Sequence, residues 1–334
     1  MSSLQHTGPH PPPEPGADPA PAPEPVAPDR APPDLPWGRR LLSCLRLLRP
    51  VQWIKNVVVL LVPLLQLTAP SPREAGTALL AVALFILVSA GTYVINDVAD
   101  RHRDRLHPVK RLRPVASGAV PVPLALALAV ALFGALLALL VLHARHLAVP
   151  IGAYAVVNLL YCFALKHVPL LDVFIIAGGF VLRAWAGALA IAAYPSPWLY
   201  VSLFSACILL GFGKRRHELS VSVDHPDGQR GHRPALRGYS FSFIDSMLTF
   251  TAALCVLAYL SFLDSGTDPA GARVRVLLFT PLAVFAVARY LQILFVAGGS
   301  GDPSRTLLTD RWMLGIGLVW LVSMVGLSVV EAAG

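Results

Sequence analysis

The chain has 334 residues, 55% hydrophobic and only 14% charged, with a formal net charge of +8 and a mean hydropathy of +0.64. Soluble domains carry about 25% charged residues, so a water-soluble globular fold is excluded. Apolar stretches recur along the chain and approach the roughly 20 residues that cross a bilayer, which points to an all-α polytopic membrane protein.

Residues 1–36 hold thirteen of the thirty prolines, mixed with alanine and acids. This composition predicts a disordered Pro-rich tail ahead of a transmembrane domain over 37–334. The tail lacks the basic start and apolar run of a signal peptide. Candidate spans follow at 54–70, 77–95, 120–142, 148–165, 169–192, 196–213, 243–263, 274–296 and 311–331, nine in all.

With Arg30, Arg183 and Arg289 set aside, the segment before the first span and the loops after spans two, four, six and eight hold 20 Lys and Arg. The other loops hold four: Arg73, Arg145, Arg273 and Arg275. By the positive-inside rule the N-terminus is cytosolic and the basic loops face the cytosol. Topology, anionic headgroups and anionic substrates account for the +8 charge, so no nucleic-acid partner is required. Cys44, Cys162, Cys207 and Cys255 are scattered singly, which indicates neither a zinc site nor a disulfide framework.

The second span ends in "NDVADRHRD" (96–104). Asp97, Asp100 and Asp104 are spaced i, i+3, i+7, which puts them on one face of a continuing helix, and Asn96 adds a neutral oxygen. Three carboxylates at a helix C-terminus repel one another and the helix dipole. Arg101, Arg103 and Arg105 are close enough in sequence to balance part of that charge. A hard divalent cation does so better, because it takes oxygen ligands and leaves positions for phosphate oxygens. Asn96, Asp97, Asp100 and Asp104 are therefore the expected Mg²⁺ ligands; the bland alternative is a solvated loop with surface ion pairs.

Basic residues recur at the same membrane face. "RPVQWIKN" (49–56) offers Arg49, Gln52, Lys55 and Asn56, and "HPVKRLRP" (107–114) offers Lys110, Arg111 and Arg113. "LKHVPLLD" (165–172) carries Lys166 and Asp172, just after Tyr161. "GGFVLRAWAG" (178–187) places Arg183 inside a span, where an unpaired guanidinium is expensive. "GKRRHE" (213–218) gives Lys214, Arg215 and Glu218, and Tyr239 follows the same loop. The only four lysines, 55, 110, 166 and 214, each lie at a different cytosolic end. Together with the acids they outline a polyanion pocket.

The "NDxxDxxxD" pattern resembles the first aspartate-rich motif of the UbiA superfamily of intramembrane prenyltransferases, over about residues 45 to 330. That resemblance implies nine transmembrane helices around a central cavity, with Mg²⁺ and a diphosphate at its cytosolic mouth. Prenyl-transferring members usually carry a second aspartate-rich motif after span six. Here Lys214, Arg215 and Arg216 stand in its place, and Pro226 separates Asp224 from Asp227. The superfamily's YxxxK spacing is stretched to five steps between Tyr161 and Lys166. "RPxQWxKN", "LKHVPxxD", "GFVLRAxAG" and "GKRxxE" together look like the polyprenyl-phosphate phosphoribosyltransferase branch.

The branch resemblance implies a multi-pass plasma-membrane enzyme with its site on the cytosolic face. Its donor would be phosphoribosyl diphosphate (PRPP) and its acceptor a polyprenyl phosphate such as decaprenyl phosphate. Asp97, Asp100, Asp104 and Lys55 are then the expected catalytic group. Small residues such as Gly178, Gly179, Ala184 and Gly187 would leave a groove for the lipid chain, and small residues in the spans permit a homo-oligomer. Two alternatives stay open: prenyl transfer from a prenyl diphosphate to an aromatic or lipid acceptor, and a transporter, whose site would lie nearer the midplane.

Overall fold

The computed structural model describes residues 36–65, 71–224, 234–265, 269–296, 306 and 309–333. The Pro-rich tail, apart from Pro36, and Asp227 lie outside the described residues. Within them the fold is entirely helical. In chain order come α1 (Trp37–Leu47), a 3₁₀ helix (Pro50–Leu60), α2 (Leu61–Leu65), α3 (Pro72–Ala99) and α4 (Arg101–Arg105). Then follow α5 (Val122–His143), α6 (Ala148–Phe163), α7 (Leu171–Ala190), α8 (Pro197–Asp224), α9 (Phe241–Asp264), α10 (Pro269–Phe295) and α11 (Arg311–Ala333).

Among the described residues eight segments are long and apolar enough to cross a membrane: Gly38–Leu65 and then α3, α5, Arg145–Phe163, α7, Pro197–Val221, α9 and α10. The ninth expected span falls on α11, whose apolar stretch Arg311–Leu327 is shorter. Outward faces are apolar, as a lipid solvent requires: on α5, Val130 is 72% and Leu137 63% exposed.

Local signals explain where the long helices begin. Ser71 accepts a hydrogen bond from the Glu74 amide and donates its own amide to the Glu74 carboxylate at 2.8 Å, a capping box with Pro72 in the first turn. At α11, Asp310 accepts from the amides of Trp312 (3.1 Å) and Met313 (3.0 Å). It also accepts from Arg289 at 2.7 Å, so the arginine placed inside a span by the sequence is paired at the helix end.

Two packed cores share α7. Phe85, Leu147, Ile151 and Tyr154 join α3 and α6 to it on one side. Phe212, Ile244, Leu248 and Tyr290 join α8, α9 and α10 to it on the other. A Cβ on Gly187 would collide with the Val59 carbonyl oxygen, so this glycine lets the 3₁₀ helix lie directly on α7. Ala184 is fully buried. These two residues close the bundle rather than opening a groove; at Gly178, by contrast, a Cβ would meet nothing within 4 Å.

Candidate active site

At one end of the bundle a cavity of about 480 Å³ opens between the 3₁₀ helix, α3, α4, α6, α7 and α8. The 3₁₀ helix builds one wall. Runs longer than three or four residues are uncommon in this conformation, and with three residues per turn positions i and i+3 eclipse. Its eleven residues therefore sort into three straight rows. Val51, Ile54 and Val57 are exposed (84%, 67% and 44%), Asn56 and Val59 are buried, and Gln52 and Lys55 line the cavity. Arg49, just before Pro50, is held at φ 52°, ψ 61°. That left-handed region is costly for a non-glycine residue and clusters at functional sites.

α3 ends at Ala99, Asp100 adopts φ −89°, ψ 0°, and α4 resumes at Arg101, with the Asp104 amide still bonded to the Asp100 carbonyl at 2.8 Å. The partners of the acids are not the neighbouring arginines, which turn to backbone carbonyls (Arg101 to Val98, Arg105 to Ala116) and to His167 (Arg103). Distant cations take over instead. Arg49 donates to Asp97 at 2.5 Å, Arg113 bridges Asp97 (3.2 Å) and Asp104 (2.7 Å), and the Lys166 ammonium meets both oxygens of Asp100 (2.6 and 2.7 Å). Asp97 and Asp104 are buried. Among the described residues no three acidic, His or Cys side chains are gathered as a ready metal site. The oxygen donors nevertheless already surround a cation, because Lys166 is also 3.3 Å from the Asn96 Oδ1.

Arg183 lies in the wall with no carboxylate partner among the described residues. Its Nε donates to Asn56 (2.9 Å), Nη1 to the Gly179 carbonyl (2.9 Å) and Nη2 to the Tyr154 hydroxyl (2.9 Å). The faces of Phe85, Tyr154 and Phe180 surround it at 4.6 to 5.5 Å, a cation–π environment that offsets its desolvation. Across the cavity Arg215 is fully buried and matched by two carboxylates: Nη1 donates to Glu218, and Nε lies 2.8 Å from Asp172 as a charge contact rather than an aligned hydrogen bond. Arg216 turns away to Asp245 at 2.7 Å.

Asn56, Asp97, Glu218 and Tyr239 thus stand behind the lining and hold it. Arg111 is exposed and does not line the cavity. Tyr239 donates to Asp172 and accepts from the Leu170 amide, both at 2.6 Å. Burial, then the Asp172 bond, pushes its phenol above the usual range, so it remains a donor. Tyr239→Phe should leave a buried carboxylate oxygen without its donor and the Leu170 amide without its acceptor, at about 1–3 kcal/mol. A lowered melting midpoint in detergent measures that loss.

The remaining expected residues converge on the cavity: Arg49, Gln52, Lys55, Asn96, Asp100, Asp104, Lys110, Arg113, Tyr161, Lys166, Asp172, Arg183, Lys214 and Arg215. The lining as a whole sets nine basic side chains, including Arg103, against three carboxylates. This excess is felt locally. Burial and then Arg113 push the Lys110 ammonium below its usual value, and burial, Arg103 and Lys166 do the same to His167. An anion entering the cavity would offset the cationic part of both shifts.

Sequence reasoning missed Thr92, Tyr93, Tyr154, Asn158 and His167 in the lining. For Tyr154 and Asn158 a signal existed: with Tyr161 they repeat at i, i+4, i+7 on an otherwise apolar helix.

The sequence model of the UbiA prenyltransferase family matches residues 57–314. The decaprenyl-phosphate phosphoribosyltransferase of Corynebacterium glutamicum is 31% identical over 288 residues, 84% of this chain and 85% of its own length. The protein of the same name from Mycolicibacterium smegmatis is 32% identical over 293 residues, 83% of this chain and 89% of its own length. A UbiA homolog from Archaeoglobus fulgidus, solved bound to GPP and Mg²⁺, is similar in fold with a TM-score of 0.63 at 18% identity, covering 87% of this chain and all of that one.

Proposed function

This chain belongs to the UbiA prenyltransferase family, and from that premise we propose that it transfers the 5-phosphoribosyl group of PRPP to a polyprenyl phosphate. Decaprenyl phosphate is the acceptor suggested by the names of its relatives. Diphosphate leaves, and the product is polyprenylphosphoryl-5-phosphoribose, a precursor for cell-wall arabinan. The observation that carries this reading is the cavity's lining of nine basic groups against three carboxylates. A single prenyl diphosphate calls for less positive charge than a donor with three phosphates beside an acceptor with one.

The donor chemistry of Asn96, Asp97, Asp100 and Asp104 fits Mg²⁺, since all are hard oxygen ligands and three of their oxygens already enclose the Lys166 ammonium. When bound, Mg²⁺ would neutralise charge growing on the departing diphosphate. The chain's own residues do the rest. Lys55, Lys110 and Lys214 line the cavity as point charges, and Arg49, Arg113 and Lys166 would exchange their carboxylates for phosphate oxygens. Cations held around the cavity would stabilise an oxocarbenium-like state by position and charge.

The acceptor needs no general base, because the second pKa of a phosphate monoester is about 6 and its oxygen is already anionic near neutrality. Attack opposite the leaving group gives inversion at C1. Ile175, Ile176 and Phe180 form the apolar part of the lining, and Ile176 is 44% exposed at the bundle's surface, a route by which the lipid tail stays in the membrane. By the charge asymmetry of the loops the cavity faces the cytosol from the plasma membrane.

The deciding experiment offers membranes containing this protein either labelled PRPP with decaprenyl phosphate or a labelled prenyl diphosphate. The label from PRPP should enter the lipid fraction with release of diphosphate, and chelation of divalent ions should stop it. Transfer of the prenyl label alone would overturn the reading.

A further inference from the structure

Charge dominates the mouth of the cavity, but one face of α6 presents neutral groups that the bundle does not use up. Tyr154, Asn158 and Tyr161 follow one another at i, i+4 and i+7 and all line the cavity. The Tyr154 hydroxyl accepts from Arg183 at 2.9 Å, and among the described residues its own proton has no acceptor. Asn158 donates one amide hydrogen to the Tyr154 carbonyl at 2.9 Å, which leaves its Oδ1 and second hydrogen for something else. The Tyr161 hydroxyl makes no hydrogen bond among the described residues. Facing them, Thr92 donates to the Ser89 carbonyl at 2.9 Å and keeps free oxygen lone pairs.

A hydrocarbon donor would strand these groups, and a buried polar group left unmet is costly. A phosphate would seek the cations instead. What matches an array of mixed neutral donors and acceptors is a set of hydroxyls, each of which both gives and takes a hydrogen bond. We propose that this face of α6 is a sugar subsite in which Tyr154, Asn158 and Tyr161 read the ring hydroxyls of the pentose donor. The proposal rests on the phosphoribosyl reading above. It adds what makes the cavity selective for a sugar over a prenyl chain: the phosphates supply affinity, and the α6 face supplies discrimination. Tyr154 has a double part, since it also fixes the guanidinium of Arg183.

The test uses ribose 5-phosphate and 2-deoxyribose 5-phosphate as competitors of phosphoribosyl transfer by the full-length protein. In the wild type the ribose compound should inhibit about tenfold more strongly, the order of effect of one hydrogen-bonding group left unmet. In Asn158→Leu and in Tyr154→Phe, which keeps the ring over Arg183, that ratio should fall towards one while inhibition by inorganic diphosphate is unchanged. Equal inhibition by the two sugars in the wild type, or an undiminished ratio in both variants, would overturn the subsite alone. Absence of any transfer from PRPP in the wild type would overturn the phosphoribosyl reading and the subsite with it.

Discussion

Asp100→Ala should lower phosphoribosyl transfer by about a thousandfold or more, the scale set by removing one fixed group that stabilises transition-state charge, while the protein still inserts and melts normally. Asp100 sits between α3 and α4, lines the cavity and, among the described residues, pairs only with Lys166. Its carboxylate is 20% exposed against 2% for Asp97, so its removal costs less stability than that of a buried carboxylate. Activity and folding are therefore separable at this position. Asp97→Ala should fail on both counts. It is buried beneath Arg49 and Arg113, and removing one member of a buried ion pair costs about 3–5 kcal/mol. Transfer of label into lipid, read beside melting midpoints in detergent and a Mg²⁺ titration, distinguishes the two variants.

Arg183→Leu is the second large effect, and here stability should fall first. The guanidinium ties the 3₁₀ helix, α6 and α7 together through Asn56, Tyr154 and the Gly179 carbonyl. Leucine would leave the Asn56 and Tyr154 oxygens buried without that donor, while the Gly179 carbonyl keeps its helical one; hydrogen bonds to charged groups contribute about 1.5–3 kcal/mol each and are not additive, so a loss of about 3 kcal/mol is expected. Arg183→Lys keeps the charge but not the planar fork, and one ammonium cannot serve three separated oxygens. It should melt between the wild type and Arg183→Leu and retain roughly a tenth of the turnover. A lysine variant indistinguishable from wild type in melting and turnover would show that charge alone suffices there.

How much of this was legible beforehand depended on whether the signal was local. The four lysines and the "NDxxDxxxD" run mark the cavity because charge beside a greasy segment is rare and costly. Partner choice was not local. Asp97 meets Arg49 across 48 positions and Asp100 meets Lys166 across 66, whereas the arginines adjacent in sequence turn elsewhere. The spacing of the acids brought Asp97 and Asp104 within reach of one another, and Arg113 bridges them, but it said nothing of which cation would do so. Gly187 read as room for a lipid tail, yet it is where the 3₁₀ helix presses on α7; smallness alone does not say which neighbour exploits it. Tyr154 and Asn158 went unnoticed because tyrosine and asparagine in an apolar helix look like interface or packing residues until the space beside them is seen.

The segment Pro50–Leu60 gives the molecule an uncommon vulnerability. Each residue of such a helix advances the chain by about a third of a turn, so lipid, solvent-filled space and protein interior are addressed in strict rotation. A single deletion near Gln52 would swing Lys55 into hydrocarbon, and a single insertion there would swing Ile54 into the charged chamber, although no amino acid had been exchanged. In this stretch only length changes in multiples of three preserve the frame.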